Sequence, residues 1–227
     1  MCSPYKVIMI FQKSNKVAAI DIGLKNLATV TFSEQYEPML YRSDLVKINK
    51  DFNRLTSEYM SILKKTQNKD TSNRRKRFSE KYSGRVEDRL HKISRAIIDD
   101  LSQRGVSTVI VGKNTGQKIN NKLKNFVQVP LFRLIETLKY KAELAGITFI
   151  LTEESYTSGT SFLDDELPVK EFYNNKRRSF RGLFLSNSLK RINADVNASF
   201  QIMKKMYEKF TYNTSVKYAN PIVKTIC

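Results

Sequence analysis

At 227 residues the chain has room for one large domain or two small ones, and for a sizeable core. Forty Lys and Arg against 22 Asp and Glu give a net charge of +18, which points to a polyanionic partner, nucleic acid ahead of an anionic membrane surface. The two cysteines are Cys2 and Cys227 and the one histidine is His91, which excludes a disulfide framework and a Cys/His zinc site; a catalytic metal would need oxygen ligands, hence Mg²⁺ or Mn²⁺.

Residues 5–11 (YKVIMIF) and 16–22 read as strands. A turn at 23–26 and a strand at 27–32 complete an antiparallel hairpin, and 39–42 can add another strand. A helix is expected from Asp44 through Gln67, with apolar residues at Leu45, Ile48, Phe52, Leu55, Tyr59 and Ile62. The polar run 68–77 ends in Arg74-Arg75-Lys76-Arg77 and reads as a solvated loop able to contact phosphates. A second helix is expected over 85–103, with Leu90, Ile93, Ile97 and Leu101 as its inner stripe.

Residues 107–112 (STVIVG) form a β-branched run, and 113–124 read as a loop. Pro130 opens a helix to Leu144, Gly146 ends it, and 147–151 make a strand that runs out in Thr152-Glu153-Glu154. Residues 155–193 are irregular and polar, with Lys176-Arg177-Arg178 and Arg181 as a basic cluster. A last helix begins near Ala194, with Val196, Phe200, Met203, Met206 and Phe210 on one stripe. The order implies an α/β domain built on a mixed sheet, with the later strands parallel to the first, as in the RNase H-like fold.

Asp21 stands inside the apolar run VAAIDIG. A buried carboxylate is expensive, so it either accepts hydrogen bonds from the following turn or faces a cation. Glu153 and Glu154 end a strand, where solvated acids are common, and Asp195 lies in the first turn of a helix, where the dipole alone favours an acid. Together these positions can meet at the strand ends of an open α/β sheet, and a divalent cation would then compensate three carboxylates. Two such ions can activate a water and stabilise the leaving oxygen of a phosphodiester.

AIDIGLKNLATV resembles the first RuvC motif of the TnpB/OrfB proteins of insertion sequences, RNA-guided DNA nucleases related to type V CRISPR effectors. VEDRLHKISRAIIDDL (86–101), the long segment 125–164 and INADVNASFQI (192–202) extend the resemblance over residues 16–210. It implies a RuvC-like endonuclease associated with transposition, a single domain over 1–227 with an inserted target-nucleic-acid-binding subdomain at 155–193, Mg²⁺ or Mn²⁺ as cofactor, DNA as partner, and a cytoplasmic or nucleoid-associated protein without a membrane segment.

The resemblance carries the first catalytic Asp to Asp21 and the third to Asp195. Where the family has its second acid, at the end of TVIVGKN, this chain has Gly112 and Lys113. Either the acid has moved to the neighbouring strand end, at Glu153 or Glu154, or the domain binds nucleic acid without cutting it, with Lys113 taking part of a metal's electrostatic place. Glu153 and Glu154 fall on opposite faces of a strand, so one of the two can enter the site.

No zinc is expected, because the family's ribbon cysteines are missing after Tyr156-Thr157-Ser158. Packing among Phe162, Phe172, Tyr173, Phe180, Leu183 and Phe184 is expected to hold the subdomain instead. About fifteen residues precede the first motif, so the family's N-terminal guide-RNA-binding region is expected to be lacking, which limits the guide RNA to a possible partner. Candidate phosphate contacts are Arg74, Arg75, Lys76, Arg77, Lys118, Lys122, Lys124, Lys176, Arg177, Arg178 and Arg181, and Tyr156, Phe162, Tyr173 and Phe180 are candidates for base stacking.

Overall fold

The computed structural model describes residues 15–113, 130–178, 182–207 and 221–227. The expected strand 5–11, the candidates Lys118, Lys122, Lys124 and Arg181, and the aromatics Phe180 and Phe210 lie outside these residues.

The chain begins with β1 (Val17–Asp21), β2 (Ala28–Phe32) and β3 (Met39–Ser43), followed by α1 (Leu45–Gln67) and α2 (Asn73–Gln103). It continues with β4 (Thr108–Lys113), α3 (Leu131–Leu144), β5 (Thr148–Glu153), β6 (Leu183–Leu185), β7 (Arg191–Asn193), α4 (Ala194–Met206) and β8 (Ile222–Ile226). Six strands form one sheet in the order β5-β4-β1-β2-β3-β8, and β6 pairs with β7 in a small hairpin. β2 runs antiparallel to β1 and β3, and the remaining neighbours are parallel. Helices cover both faces, so the architecture is a mixed α/β sheet of the RNase H-like, RuvC-like kind, and the order of strands agrees with the sequence reading.

Strand alternation divides the core. Ala18, Ile20, Val30, Phe32, Val109 and Val111 face α2 and α3, where the expected stripe Leu90, Ile93, Ile97 and Leu101 is fully buried. Val17, Ala19, Ile110 and Ile150 point to the other face and pack on Ile202 and Met203 of α4. Asp21 has the parity of Val17 and Ala19, which places it on the α4 side.

Two findings correct the sequence reading. The basic run is helical from Asn73, twelve residues before the expected start at 85, because its first turns are zipped against α1. Ser72 caps α2 by accepting from the Arg75 amide at 3.2 Å and meets the Tyr59 hydroxyl at 2.9 Å. The Arg74 guanidinium lies 5.3 Å from the Tyr59 ring centroid and 5.5 Å from that of Phe78, and Phe52 stacks on Tyr82 at 4.2 Å. The second finding is β8, which adds to the sheet edge beside β3. Lys224 on this strand bonds the buried Asp100 of α2 at 2.7 and 2.8 Å, where Asp100 also accepts from the Tyr41 hydroxyl at 2.6 Å.

Candidate active site

Asp21 closes β1 at the end of the sheet toward which four of the five other strands also run. Protein crowds its carboxyl group, and this burial pushes the acid well above the usual carboxylate range. The negative charges of Glu154 and then Asp195 raise it further, and the Arg178 guanidinium opposes them. Two acids from distant parts of the chain therefore act on Asp21 here. Across the β1–β2 pair, Asp21 is in register with Thr29, whose buried hydroxyl has no hydrogen-bond partner.

Asp195 is placed by the start of α4. Asn193 caps the helix, its side chain accepting from the amides of Asp195 at 2.9 Å and Val196 at 3.2 Å. The carboxylate of Asp195 accepts from Asn26 Nδ2 at 2.7 Å and from Arg178 Nη2 at 3.4 Å, and Arg42 Nε donates to Asn26 Oδ1 at 2.8 Å. Asn26 reaches Asp195 because the turn after Asp21 is tight. A Cβ on Gly23 would lie 2.8 Å from the Asn26 carbonyl oxygen, so the glycine of the DIG motif is a steric requirement.

Farther along α4, Asn197 and Ser199 anchor the helix. Ser199 Oγ donates to the carbonyls of Ala19 (2.9 Å) and Thr29 (3.1 Å) on the two strands that carry the site. Asn197 Nδ2 donates to the Thr160 carbonyl (2.8 Å) and its Oδ1 accepts from the Phe162 amide (3.0 Å), pinning the insert to the helix.

The candidate for the second acid stands at the end of the strand next door. Gly112 pairs with Thr152 and Lys113 with Glu153, and the Glu154 amide donates to the Lys113 carbonyl at 3.3 Å. Glu154 continues the parity of Ile150, the residue that faces α4, and Glu153 has the opposite parity and is exposed. A Cβ built on Gly112 would stand 3.0 Å from Glu154 Oε2 and 2.5 Å from Ile202 Cδ1. Glu154 therefore occupies the space over Gly112, beside Asp21. A glycine ending an apolar β-run is itself a sequence signal for such a close approach.

The donor set suits a hard cation: carboxylate oxygens from Asp21, Glu154 and Asp195, with an orphaned hydroxyl at Thr29. Among the described residues no three acid, His or Cys side chains are already drawn into one metal-holding cluster, and Asn26 and Arg178 hold Asp195 in place.

The basic candidates separate. Arg74, Arg75, Lys76 and Arg77 are exposed on the first turns of α2, and Lys176 is exposed on the insert. Arg178 reaches the acids. Arg177 turns inward and forms a two-pronged pair with the nearly buried Glu166, at 2.5 and 2.9 Å.

Glu166 also accepts from the Ser161 amide at 2.7 Å and from Asn187 Nδ2 at 3.0 Å, and Asp164 accepts from the amide of Asn187 at 2.6 Å. The insert is held by this polar hub together with buried Phe162, Phe184 and Ile192; Phe162 stacks on Phe200 of α4 at 4.4 Å. The expected contribution of Phe172 and Tyr173 to that core is corrected, since both are exposed.

Residues 10–118 match the family described as "Probable transposase" (OrfB), and residues 132–202 match the Cas12f1-like TNB domain. The chain is similar to TnpB-type proteins along most of its length. The TnpB-like protein MJ0751 of Methanocaldococcus jannaschii is 28% identical over 68% of this chain and 59% of its own length. The TnpB-like protein ORF457 of Acidianus two-tailed virus is 25% identical over 85% of the chain and 42% of its own length. The chain thus spans about half the length of these TnpB-type relatives. A solved complex of Cas12f1 with sgRNA and target DNA superposes with a TM-score of 0.61 at 19% identity, covering 82% of this chain and 49% of that one, a likeness of fold. No described helix is long and apolar enough to cross a membrane.

Proposed function

We propose that the chain is the RuvC-like endonuclease domain of a transposon-associated TnpB-type protein, binding nucleic acid and cutting DNA phosphodiester bonds with Mg²⁺ or Mn²⁺. The observation that carries this reading is the carboxylate of Glu154, which stands over Gly112 and raises Asp21 together with Asp195. Gly112 leaves room for Ile202 of α4 and for the Glu154 carboxylate from the adjacent strand, so an acid can stand where a side chain at 112 would otherwise block it.

Asp21, Glu154 and Asp195 would hold the cation, which would supply Lewis acidity and a water of lowered pKa at the scissile phosphate. Asp21 must be ionised to serve, and burial among like charges opposes that until positive charge arrives. Asn26 orients Asp195, and Arg42 orients Asn26. Arg178, at the acids, is placed to meet a phosphate oxygen as a charged donor. The +18 charge attracts a polyanion by contacts to its backbone and not to its bases. DNA is the proposed substrate, and a guide RNA the proposed partner, from the complex in which the Cas12f1 relative was solved.

The test is cleavage of end-labelled single-stranded DNA in Mg²⁺ and in Mn²⁺ by the wild type and Asp21→Asn. Metal-dependent cutting lost in the variant supports the nuclease. Tight binding without cutting in either metal would overturn it in favour of a nucleic-acid-binding domain.

A further inference from the structure

The two lysines in the last turn of α4 leave the helix in different directions. The helix dipole favours a cation there, and that alone would leave both in water. Neither is free. Lys204 is buried, donating to the Asp165 carbonyl at 2.7 Å and pairing with the Asp165 carboxylate. Lys205 turns to the edge of the sheet, where its Nζ donates to the Glu153 carbonyl at 2.9 Å and to Ser155 Oγ at 3.0 Å. Those are the residues on either side of Glu154.

Glu154 lies one residue past the end of β5, where the ladder with β4 gives out. Its amide donates to the Lys113 carbonyl at 3.3 Å, and its carbonyl accepts from Thr157 Oγ1 at 2.7 Å. These bonds fix the turn to β4 and to the loop that follows. Lys205 ties it to α4, the helix that also carries Asp195 and sets Ile202 over Gly112. Partial burial holds the Lys205 ammonium below the usual lysine range, and the charges of Glu153 and Glu154 oppose this, so the cation senses both glutamates. Ordering a long side chain costs entropy, and a solvated lysine would satisfy the helix end without that cost.

We propose that Lys205 is the positioning residue of Glu154: by clasping the residues before and after it, the ammonium holds the carboxylate over Gly112, where it joins Asp21 and Asp195 in holding the cation. The proposal rests on the reading of Glu154 as the second acid and adds what keeps that acid in place. An acid at position 112 would be set by a central strand with a neighbour on each side, whereas Glu154 lies beyond the end of an edge strand and needs the clasp.

The experiment measures free Mn²⁺ by electron paramagnetic resonance, and cutting of the labelled single strand, on the full chain. The variants are Lys205→Met, Lys205→Arg, Glu154→Gln and the double variant of Lys205→Met with Glu154→Gln, each studied well below its melting temperature. Lys205→Met is expected to lose about tenfold in Mn²⁺ affinity and in cutting, the low end of what an outer-shell partner of a metal site contributes. Lys205→Arg, which keeps the charge and the donors, is expected to recover most of both. The double variant should bind Mn²⁺ as Glu154→Gln does, because a residue that acts through Glu154 then has nothing left to position. A further loss in the double variant would place the action of Lys205 elsewhere and overturn the proposal. So would a Lys205→Met variant that binds Mn²⁺ and cuts like the wild type beside an impaired Glu154→Gln. A Glu154→Gln variant that binds and cuts like the wild type would overturn the reading of the second acid as well.

Discussion

Glu154 occupies the space above Gly112 that a side chain at position 112 would require: a Cβ there would lie 3.0 Å from the Glu154 carboxylate and 2.5 Å from Ile202 of α4. The proposed place of the second acid, on the neighbouring strand, depends on the room that Gly112 leaves for Glu154 and Ile202. Gly112→Ala is therefore expected to cost about 1–3 kcal/mol, the usual range for overpacking a tight core, and to reduce cutting by displacing Glu154. Denaturant melts and cleavage rates measure the two effects. An alanine variant as stable and as active as the wild type would show that the space is not critical.

Asp21 is a half-buried acid crowded by protein and by like charges, so the folded state holds its proton more firmly than the unfolded chain does. For a raised carboxyl the sign is fixed: above its ordinary pKa the ionised group costs the native state stability, increasingly until the folded value is passed. Asp21→Asn should accordingly raise the melting temperature at neutral pH without divalent cations, by about 2–4 °C for each kcal/mol recovered in a chain of this size. Mn²⁺ should stabilise the wild type and not the variant. Scanning calorimetry with and without Mn²⁺ checks both, and a variant that melts lower than the wild type would contradict the electrostatic account.

Asp100 behaves in the opposite way. Burial alone would raise it, but Lys224 and Tyr41, with Arg104, outweigh burial and hold it below the usual carboxylate range. Its contribution is present at neutral pH and is lost as the pH falls through the ordinary carboxylate pKa toward the lower folded value. Asp100→Asn should cost about 1.5–3 kcal/mol at neutral pH and show a shallower loss of stability on acidification than the wild type. Urea melts from neutral to acid pH measure this, and parallel acid limbs would refute it.

The insert should tolerate chelators and depend on an ion pair. Breaking a buried pair by removing one partner costs about 3–5 kcal/mol, so Glu166→Ala should loosen residues 155–193 by that order. Hydrogen exchange across the insert would report it, and EDTA should change nothing there. Arg177→Met should likewise act on stability and leave the salt slope of DNA binding unchanged. A loss of slope comparable to that from Arg178→Met would return Arg177 to the phosphate-binding surface.

Much of this architecture is legible in the residues alone. The hairpin around DIG, the parallel strands after it and the start of α4 at DVNAS follow from alternation, crossover length and capping. The same alternation leaves one place for an acid among Glu153 and Glu154, and the parity that Glu154 shares with Ile150 fills it. What stays hidden depends on contacts between distant segments. Four successive basic residues resemble a solvated loop until Tyr59 and Phe52 of α1 are known to stack on Arg74 and Tyr82. β8 is a short strand made by pairing with β3, far away in the chain. Arg177 belongs to a basic cluster by sequence and to Glu166 by geometry.

The central claim is that Glu154 has taken over the second acidic position of the site. Its most direct test is the metal-dependent cleavage rate of Glu154→Gln beside Glu153→Gln on the same labelled strand. The account predicts that Glu154→Gln loses cutting by at least about a hundredfold, of the order of one general acid–base group, while Glu153→Gln cuts like the wild type. Equal activity in the two variants, or loss confined to Glu153→Gln, would contradict it.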